Sequence, residues 1–556
     1  MMPGFASTTR AAMLLTLALL GACSEDPVTP PANDAPTGLA AAATGQTTIR
    51  VTWTAPATAA TSFVLQRATG AAGAFATITS PAATATQYDD AGLTLGTQYR
   101  YRLAAVRAAG TSAYSTEATA TTAGVGAIEV TADITTNTTW TPANVYRLKG
   151  FRKVANGATL TIEAGTRIEG DFATVGSSLF VLRGARIVAN GTAADPIVFT
   201  SSQTAGTRQS GDWGGLVIVG NGIINRSGVV NIEGTGTSVD NALVPYSGGN
   251  NNGDNSGRLS YVRVEYAGFG PAQDAELNSF TLAAVGSATV IDHLEALNGL
   301  DDHFEIFGGA LDAKYLVSYQ AGDDHFDMSE GFVGRLQYLV GFQSKVLVPR
   351  AGAGNVSSDP QGIENDGCNG SGCDNGFDTT PFTVPVVANF TLVGTGPGVV
   401  GASGGYGAVL RRGTGGHYVN GIFARWPAAA IGYRDAASKT RETNGLLSFK
   451  GVFVAESPVA FQAGQQTYAG NVADVDFQGA TTAVSLFTKL PATPTAVADF
   501  DWSLAAAVAP RTGGVTTFTG DLLTRAGAFI TGTSYRGAAD PAGTKWWEGW
   551  TSYSNN

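Results

Sequence analysis

Leu300-Asp-Asp-His-Phe-Glu-Ile-Phe-Gly-Gly309 and Gly322-Asp-Asp-His-Phe-Asp-Met-Ser-Glu-Gly331 repeat one word, Asp-Asp-His-Phe, at an interval of 22 residues. An interval of that size is about one turn of a parallel β-solenoid, where each residue lies above its counterpart in the next turn at the strand spacing of about 4.8 Å. Asp301 is then expected over Asp323, Asp302 over Asp324, His303 over His325 and Glu305 over Asp327. Strand alternation puts Phe304, Ile306, Phe326 and Met328 inside the coil, and His303, Glu305 and Phe307 outside. Six carboxylates and two imidazoles thus share one small outer area, and between residues 301 and 330 the only Lys or Arg is Lys314.

Like charges about 5 Å apart repel by roughly 1 to 3 kcal/mol at effective dielectrics between water and protein surface. Three remedies are open. A calcium ion takes six to eight oxygens and suits convergent carboxylates, here Asp301, Asp302, Glu305, Asp323, Asp324 and Asp327. Protonation can leave an acid beside a base, which is the starting point of catalysis. Alternatively the aspartates bond backbone amides, as turn aspartates often do, and perform no chemistry. Zinc held by His303 and His325 is a weaker option.

The same rung pattern extends well beyond the repeat. Gly157-Ala-Thr-Leu-Thr-Ile-Glu-Ala-Gly165, Leu179-Phe-Val-Leu-Arg-Gly-Ala-Arg-Ile-Val188, Asp195-Pro-Ile-Val-Phe-Thr200 and Gly211-Asp-Trp-Gly-Gly-Leu-Val-Ile218 are short β-branched runs broken by Gly and Asn, without a helical period. Each rung exposes an edge that only a neighbour satisfies, so the rungs must stack. The fold class is all-β, with a right-handed parallel β-helix over residues 124–556. Trp546, Trp547 and Trp550 are expected to cap its open C-terminal end, with stacking on sugar rings as the alternative.

Composition agrees with an exported β-rich protein. Only 14% of the 556 residues are charged, against roughly 25% in ordinary soluble domains, and the net charge is −11. No basic stripe is present for phosphate binding, so nucleic acid is excluded as a partner. Arg10, the apolar run Ala11 to Leu20 and Leu20-Gly-Ala-Cys23 read as an export signal over residues 1–22. Leu-Gly-Ala-Cys resembles the lipobox of bacterial lipoproteins, which implies lipidation of Cys23, and Ser24 after it implies the outer membrane or cell surface. Pro27, Pro30 and Pro31 make residues 23–35 an extended tether. The remaining cysteines, Cys368 and Cys373, are expected to form a disulfide closing a Gly-rich loop. Around it, Asp359, Glu364, Asp366, Asp374 and Asp378 form either a second calcium site or a solvated acidic loop.

Within residues 36–123, Val51-Thr-Trp53, Phe63-Val-Leu-Gln-Arg67, Leu93-Thr-Leu-Gly-Thr-Gln-Tyr99 and Tyr101-Arg-Leu-Ala-Ala-Val106 resemble a fibronectin type III domain. The resemblance implies a β-sandwich with Trp53 between the sheets and Tyr99 as the corner tyrosine. Further on, Gly191-Thr-Ala-Ala-Asp-Pro-Ile-Val-Phe-Thr-Ser201, Gly211-Asp-Trp-Gly-Gly215, Asp254 to Gly268, Gly362-Ile-Glu-Asn-Asp366, Leu410-Arg-Arg-Gly413 and Trp547-Glu-Gly-Trp-Thr551 resemble bacterial surface β-helix proteins related in fold to pectate lyases. This resemblance implies fold and location, not an activity.

Two functions follow as expectations. One is a lipid-anchored surface protein whose calcium-stabilised β-helix binds a polysaccharide or another cell-envelope partner. The other is a polysaccharide-degrading hydrolase or lyase using Asp301, Asp302, Asp323 and Asp324, since polygalacturonase-like hydrolases place similar acids on successive rungs. Such hydrolases also carry a Gly-His-Gly and a basic clamp on later rungs, whereas 22 residues beyond Asp324 the chain reads Val346-Leu-Val-Pro349. His417, Arg411 and Arg412 reach the site only if coils of unequal length cooperate. A lyase would look to Lys314 or Lys345 for its base.

Overall fold

The computed structural model describes residues 34–553 apart from 45–46, 95, 123–126, 239, 273–274, 358–359, 401–403, 464–466, 471 and 492. Cys23, the export signal, most of the tether and Asp359 lie outside the described residues. The chain divides into two compact units near residue 125.

In the first unit, Thr37–Ala43, Thr48–Thr54 and Gln87–Ala91 form one antiparallel sheet, while Ala76–Thr79, Ser62–Thr69, Gln98–Arg107 and Gly110–Thr111 form a second that Ala118–Thr121 joins. Trp53 and Phe63 meet edge to face in the core at 5.7 Å, and the Tyr99 hydroxyl accepts the Thr94 N–H at 3.0 Å. Trp53 and Tyr99 take the places that the fibronectin type III resemblance implies.

The second unit is a parallel β-helix. Three short strands make an early turn, such as Thr159–Glu163, Arg167–Gly170 and Ser178–Val181, and each pairs in parallel with its counterpart in the next turn. From Gly257–Glu265 to Val386–Val393 the first two strands fuse into one bent strand, which divides again at Gly416–Val419 and Ile422–Ala424. Stacked at the bend are Tyr261, His293, Tyr315, Tyr338 and Asn389, all with positive φ. That conformation costs L residues of order 1 to 3 kcal/mol each. Face-to-face rings spaced 4.2, 4.4 and 5.0 Å apart along the first four offset part of it.

The third face holds the repeat in the expected register: Phe304 pairs with Phe326, Glu305 with Asp327, Ile306 with Met328 and Phe307 with Ser329. Phe304, Ile306, Phe326 and Met328 are fully buried in the coil interior. Coil length is not uniform, however. The next third-face strand is Ile363–Asp366, so Glu364 follows Asp327 by 37 positions and the 22-residue count to Val346 does not land on a rung.

Two further corrections concern the periphery. Trp547 and Trp550 do not cap the coil end. They are buried with Trp502, Phe500 and Tyr553 against Leu297, Val317, Tyr319 and Phe342, so the C-terminal segment runs along the outer side of the bent strands. Short helices also occur, at Ala436–Thr443, Ala483–Leu486 and Gly520–Ala526, where no helical period was read.

Candidate functional site

Alternation along the third-face strands builds an outward grid of two columns. The first runs Val217, Thr281, Glu305, Asp327, Glu364, Val409, and the second runs Val219, Ala283, Phe307, Ser329, Asp366, Arg411. In the first column neutral Thr281 and apolar Val409 flank three consecutive acidic rungs, while in the second Arg411 follows Asp366. Over the early rungs the 220–256 excursion packs Ile224, Val230, Ile232, Val244 and Tyr246 onto Phe180, Val217 and Ala283. Beyond its edge an open cleft of about 400 Å³ remains, floored by Glu305, Phe307, Asp327, Ser329, Glu364 and Asp366. Its walls come from the excursion (Arg226, Asn231, Glu233, Tyr246) and from the turns after the strands (Glu330, Asn369, Arg412).

Ion pairs fix these walls. Arg226 bonds Glu330 at 2.5 Å while the Tyr246 hydroxyl donates to the same carboxylate at 2.6 Å, and the Tyr246 ring stacks on Phe307 at 5.3 Å. Arg411 pairs with both Glu364 and Asp366, and Arg412 pairs with Asp366. The disulfide between Cys368 and Cys373 closes the loop that meets the excursion, where Arg226 donates to the Ser371 carbonyl and the Ser227 N–H to that of Gly372.

The floor is arranged differently. Glu305 and Asp327 form no ion pair among the described residues, and Oδ1 of Asp327 is buried with no hydrogen-bond partner. Burial, then the Asp327 and Asp302 charges, hold the Glu305 carboxyl well above the usual carboxylate range. Burial likewise raises Asp327, with Asp302 and Asp366 adding to it and Arg411 opposing. Asp366 is pushed up to about 7 by burial, against the pull of Arg412.

The repeated aspartates stand at the turn before the strands and none of the four lines this cleft. Asp302 and Asp324 belong to a ladder of side-chain acceptors that tie each rung to the next. The Asn278 side-chain oxygen accepts the Asp302 N–H at 3.1 Å, Asp302 accepts the Asp324 N–H at 2.8 Å, and Asp324 accepts the Gln361 N–H at 2.5 Å. One oxygen of each aspartate is thereby committed to the fold. The six expected cation ligands nonetheless gather, with Glu364, into three overlapping groups whose oxygens lie within 4.8 Å of one another: Asp301, Asp302 and Asp323; Asp302, Glu305 and Asp327; Asp324, Asp327 and Glu364.

His303 and His325 do not share the outer face with Glu305. Both are fully buried and turn inward to Ser318, which alternates with Val317 and Tyr319 and so faces the interior with Leu316. The Gly299 N–H donates to His303 Nε2 at 2.9 Å, which leaves the His303 proton on Nδ1 for the Ser318 hydroxyl at 2.7 Å. Ser318 in turn donates to His325 Nδ1 at 2.5 Å. The hydrogen-bond pattern therefore assigns both rings as neutral. Burial accordingly lowers both pKa values, that of His325 to about 3. Three of the four ring nitrogens are engaged, so the pair does not offer a zinc site. Alternation failed here because residues 301–303 form a turn and the strand starts at Phe304. Gly341 makes room for the inward ring, since a Cβ there would stand 3.3 Å from His325 Cγ.

Arg411 and Arg412 do reach the site, because the coils are of unequal length, whereas His417 bonds Ser448 and Asp521 elsewhere. Lys314 lies over the Phe529 ring at 4.6 Å, and neither it nor Lys345 lines the cleft. Glu364 and Asp366 belong to the cleft, not to a separate cation loop, while Asp378 pairs with Arg441 and Asp374 with Ser227. Sequence reasoning missed Arg226, Glu233 and Tyr246 altogether. Their excursion lies some 60 to 140 residues upstream of the floor and carries no motif.

A family model described as a pectate-lyase like beta helix domain matches residues 132–493, and one for the fibronectin type III domain matches residues 34–121. No curated protein matches. Among solved structures, a Fn3-like protein from Clostridium thermocellum is 30% identical, with 17% of this chain and 97% of that one covered and a TM-score of 0.15. The fn3 domain of human collagen alpha-1(XX) is 24% identical, with 18% and 95% covered and a TM-score of 0.17.

Proposed function

This chain belongs to the pectate-lyase-like β-helix family, and from that premise we propose that it is a carbohydrate-binding protein of the cell surface whose glycan occupies the cleft over Glu305, Asp327 and Glu364. A fibronectin type III domain ahead of such a coil suggests a carbohydrate-related surface protein. The observation that carries the reading is the cleft itself: three acidic rungs and polar walls supply hydroxyl partners beside the half-buried Phe307 ring, which Tyr246 backs from below. Affinity electrophoresis of the full-length protein through plant and bacterial polysaccharides tests it. Retardation by at least one polysaccharide, relieved by Asp327→Asn, is expected, and free migration in all of them contradicts the reading.

Calcium belongs to the same proposal, at the Asp301, Asp302 and Asp323 turn. The donors there are all oxygen, and burial together with the Asp302 and Asp323 charges pushes the Asp301 carboxyl well above its usual range, a situation that a hard cation relieves. Melting with and without chelator tests the ion; an unchanged midpoint removes it. Lipidation of Cys23 would anchor the protein to the outer membrane or cell surface, and Cys23→Ser should abolish partition into a detergent phase.

A second reading, glycoside hydrolysis, is favoured by one observation. Asp302, Glu305 and Asp327 converge at the edge of the open cleft, with Glu305 held as an acid by burial. Release of reducing ends from the same polysaccharides, abolished by Asp327→Asn, would establish it.

A further inference from the structure

The charges of the cleft are unequally satisfied, and the inequality selects a ligand. All three guanidiniums that line it are engaged by its own carboxylates: Arg226 by Glu330, Arg411 by Glu364 and Asp366, and Arg412 by Asp366. These pairs leave no guanidinium uncommitted to receive an acidic sugar. Glu305 and Asp327 stand between them on the floor, one rung apart, with no ion pair among the described residues.

A second observation is independent of charge. Ser329 is 8% exposed, lies outward on the strand beside Asp327 and lines the cleft, yet its hydroxyl has no hydrogen-bond partner among the described residues. Buried hydroxyls left unpartnered are uncommon and costly. A ligand hydroxyl or amine in the cleft would complete it. Beside it, the half-buried Phe307 ring, backed by the buried Tyr246 ring at 5.3 Å, presents carbon surface to a sugar face.

We infer that the cleft takes a glycan carrying a protonated primary amine, such as an unacetylated hexosamine, seated on Glu305 and Asp327 with Ser329 as a further partner, and that it rejects uronates. The inference rests on the carbohydrate reading above and names its substrate class. An ammonium group donates three hydrogen bonds and neutralises stacked carboxylates, whereas a uronate would bring a further negative charge to the floor. N-acetylation removes both the charge and two of those donors. A calcium ion has the same charge chemistry, so the test must separate the two.

Isothermal titration of the full-length protein in detergent supplies the test, using a glucosamine tetramer, its fully N-acetylated form and tetragalacturonate, each with chelator present, and calcium chloride alone. The glucosamine tetramer should bind at least tenfold more tightly than the acetylated one, and tetragalacturonate should give no heat of binding. Asp327→Asn should weaken the glucosamine tetramer at least tenfold with the melting midpoint not lowered, and Ser329→Ala by a few fold. Equal affinity for the two hexosamine tetramers, indifference to Asp327→Asn, or a cleft that responds to calcium alone overturns the inference. If acetylated or neutral sugars bind in an Asp327-dependent way, the carbohydrate reading survives without the amine. If none of the three binds, the inference falls, and the carbohydrate reading falls with it when the polysaccharide electrophoresis is negative as well.

Discussion

The inner and outer sides of the same few strands follow opposite rules. Inward, Phe280, Phe304 and Phe326 stack with ring centroids 5.1 and 5.2 Å apart, so every added rung gains contact. Outward, Glu305 and Asp327 occupy equally stacked positions one residue along, and every added rung brings like charge closer. Solenoid stacking accounts fully for the apolar half of the repeat. Asp302 and Asp324 tie rung to rung, but Glu305 and Asp327 work against folding and therefore point to a task.

The comparison can be broken first on its inner side. Phe304→Ala should cost about 3 to 5 kcal/mol in denaturant unfolding, as large-to-small changes in packed cores do; a loss below about 1 kcal/mol would mean that the stack is not the frame. Next comes pH, where the two sides act with opposite sign. His303 and His325 are held below their unfolded value of about 6.5, so the stability they protect is present above it and falls as pH drops, by roughly 1.4 kcal/mol per pH unit for each ring. For His325 the loss continues to about pH 3. Glu305 and Asp327 are held above their unfolded values, so their contribution is present below about pH 4 and is lost as pH rises through the raised values. Midpoints measured from pH 4 to 8 in chelator should lose about half of their acid-side fall in His325→Asn, His303 keeping the rest, and part of their alkaline-side fall in Asp327→Asn, Glu305 keeping the rest.

On the outer side, Asp327→Asn in chelator should raise stability by roughly 1 to 3 kcal/mol at pH 8, because it removes like-charge repulsion at an atom with no hydrogen bond to lose. A destabilisation there would put the acidic rungs on the same footing as the core. The smallest effect is expected at the cleft wall. Replacing Cys368 and Cys373 by Ser should cost about 2 kcal/mol or less, since the loop they close is short, and should weaken glycan binding through the Arg226 and Ser227 contacts.

Much of this was legible from particular residues. Register across Phe304 and Phe326 and the inward phenylalanines follow from periods that local physics enforces, while the Trp53 core and the Tyr99 corner follow from the fibronectin type III resemblance. The histidines were misplaced because strand alternation was extended one residue into a turn. Glu364 was separated from Asp327 because the intervening coil is 37 residues long instead of 22, and no local signal announces an inserted loop. Arg226 and Tyr246 reach the cleft from an excursion whose path is set by tertiary packing of Val230, Ile232 and Val244. Ile363-Glu-Asn-Asp366 did carry a usable signal, since its opening apolar-acidic pair Ile363-Glu364 repeats Phe304-Glu305 and Phe326-Asp327.

On the proposed reading the acidic rungs are the ligand site. The most direct test titrates one glycan bound by the full-length protein into wild type, Asp327→Asn and Glu548→Gln, the last an exposed acid away from the cleft. Loss of at least tenfold in affinity for Asp327→Asn alone is predicted. Unchanged affinity in Asp327→Asn would contradict the account.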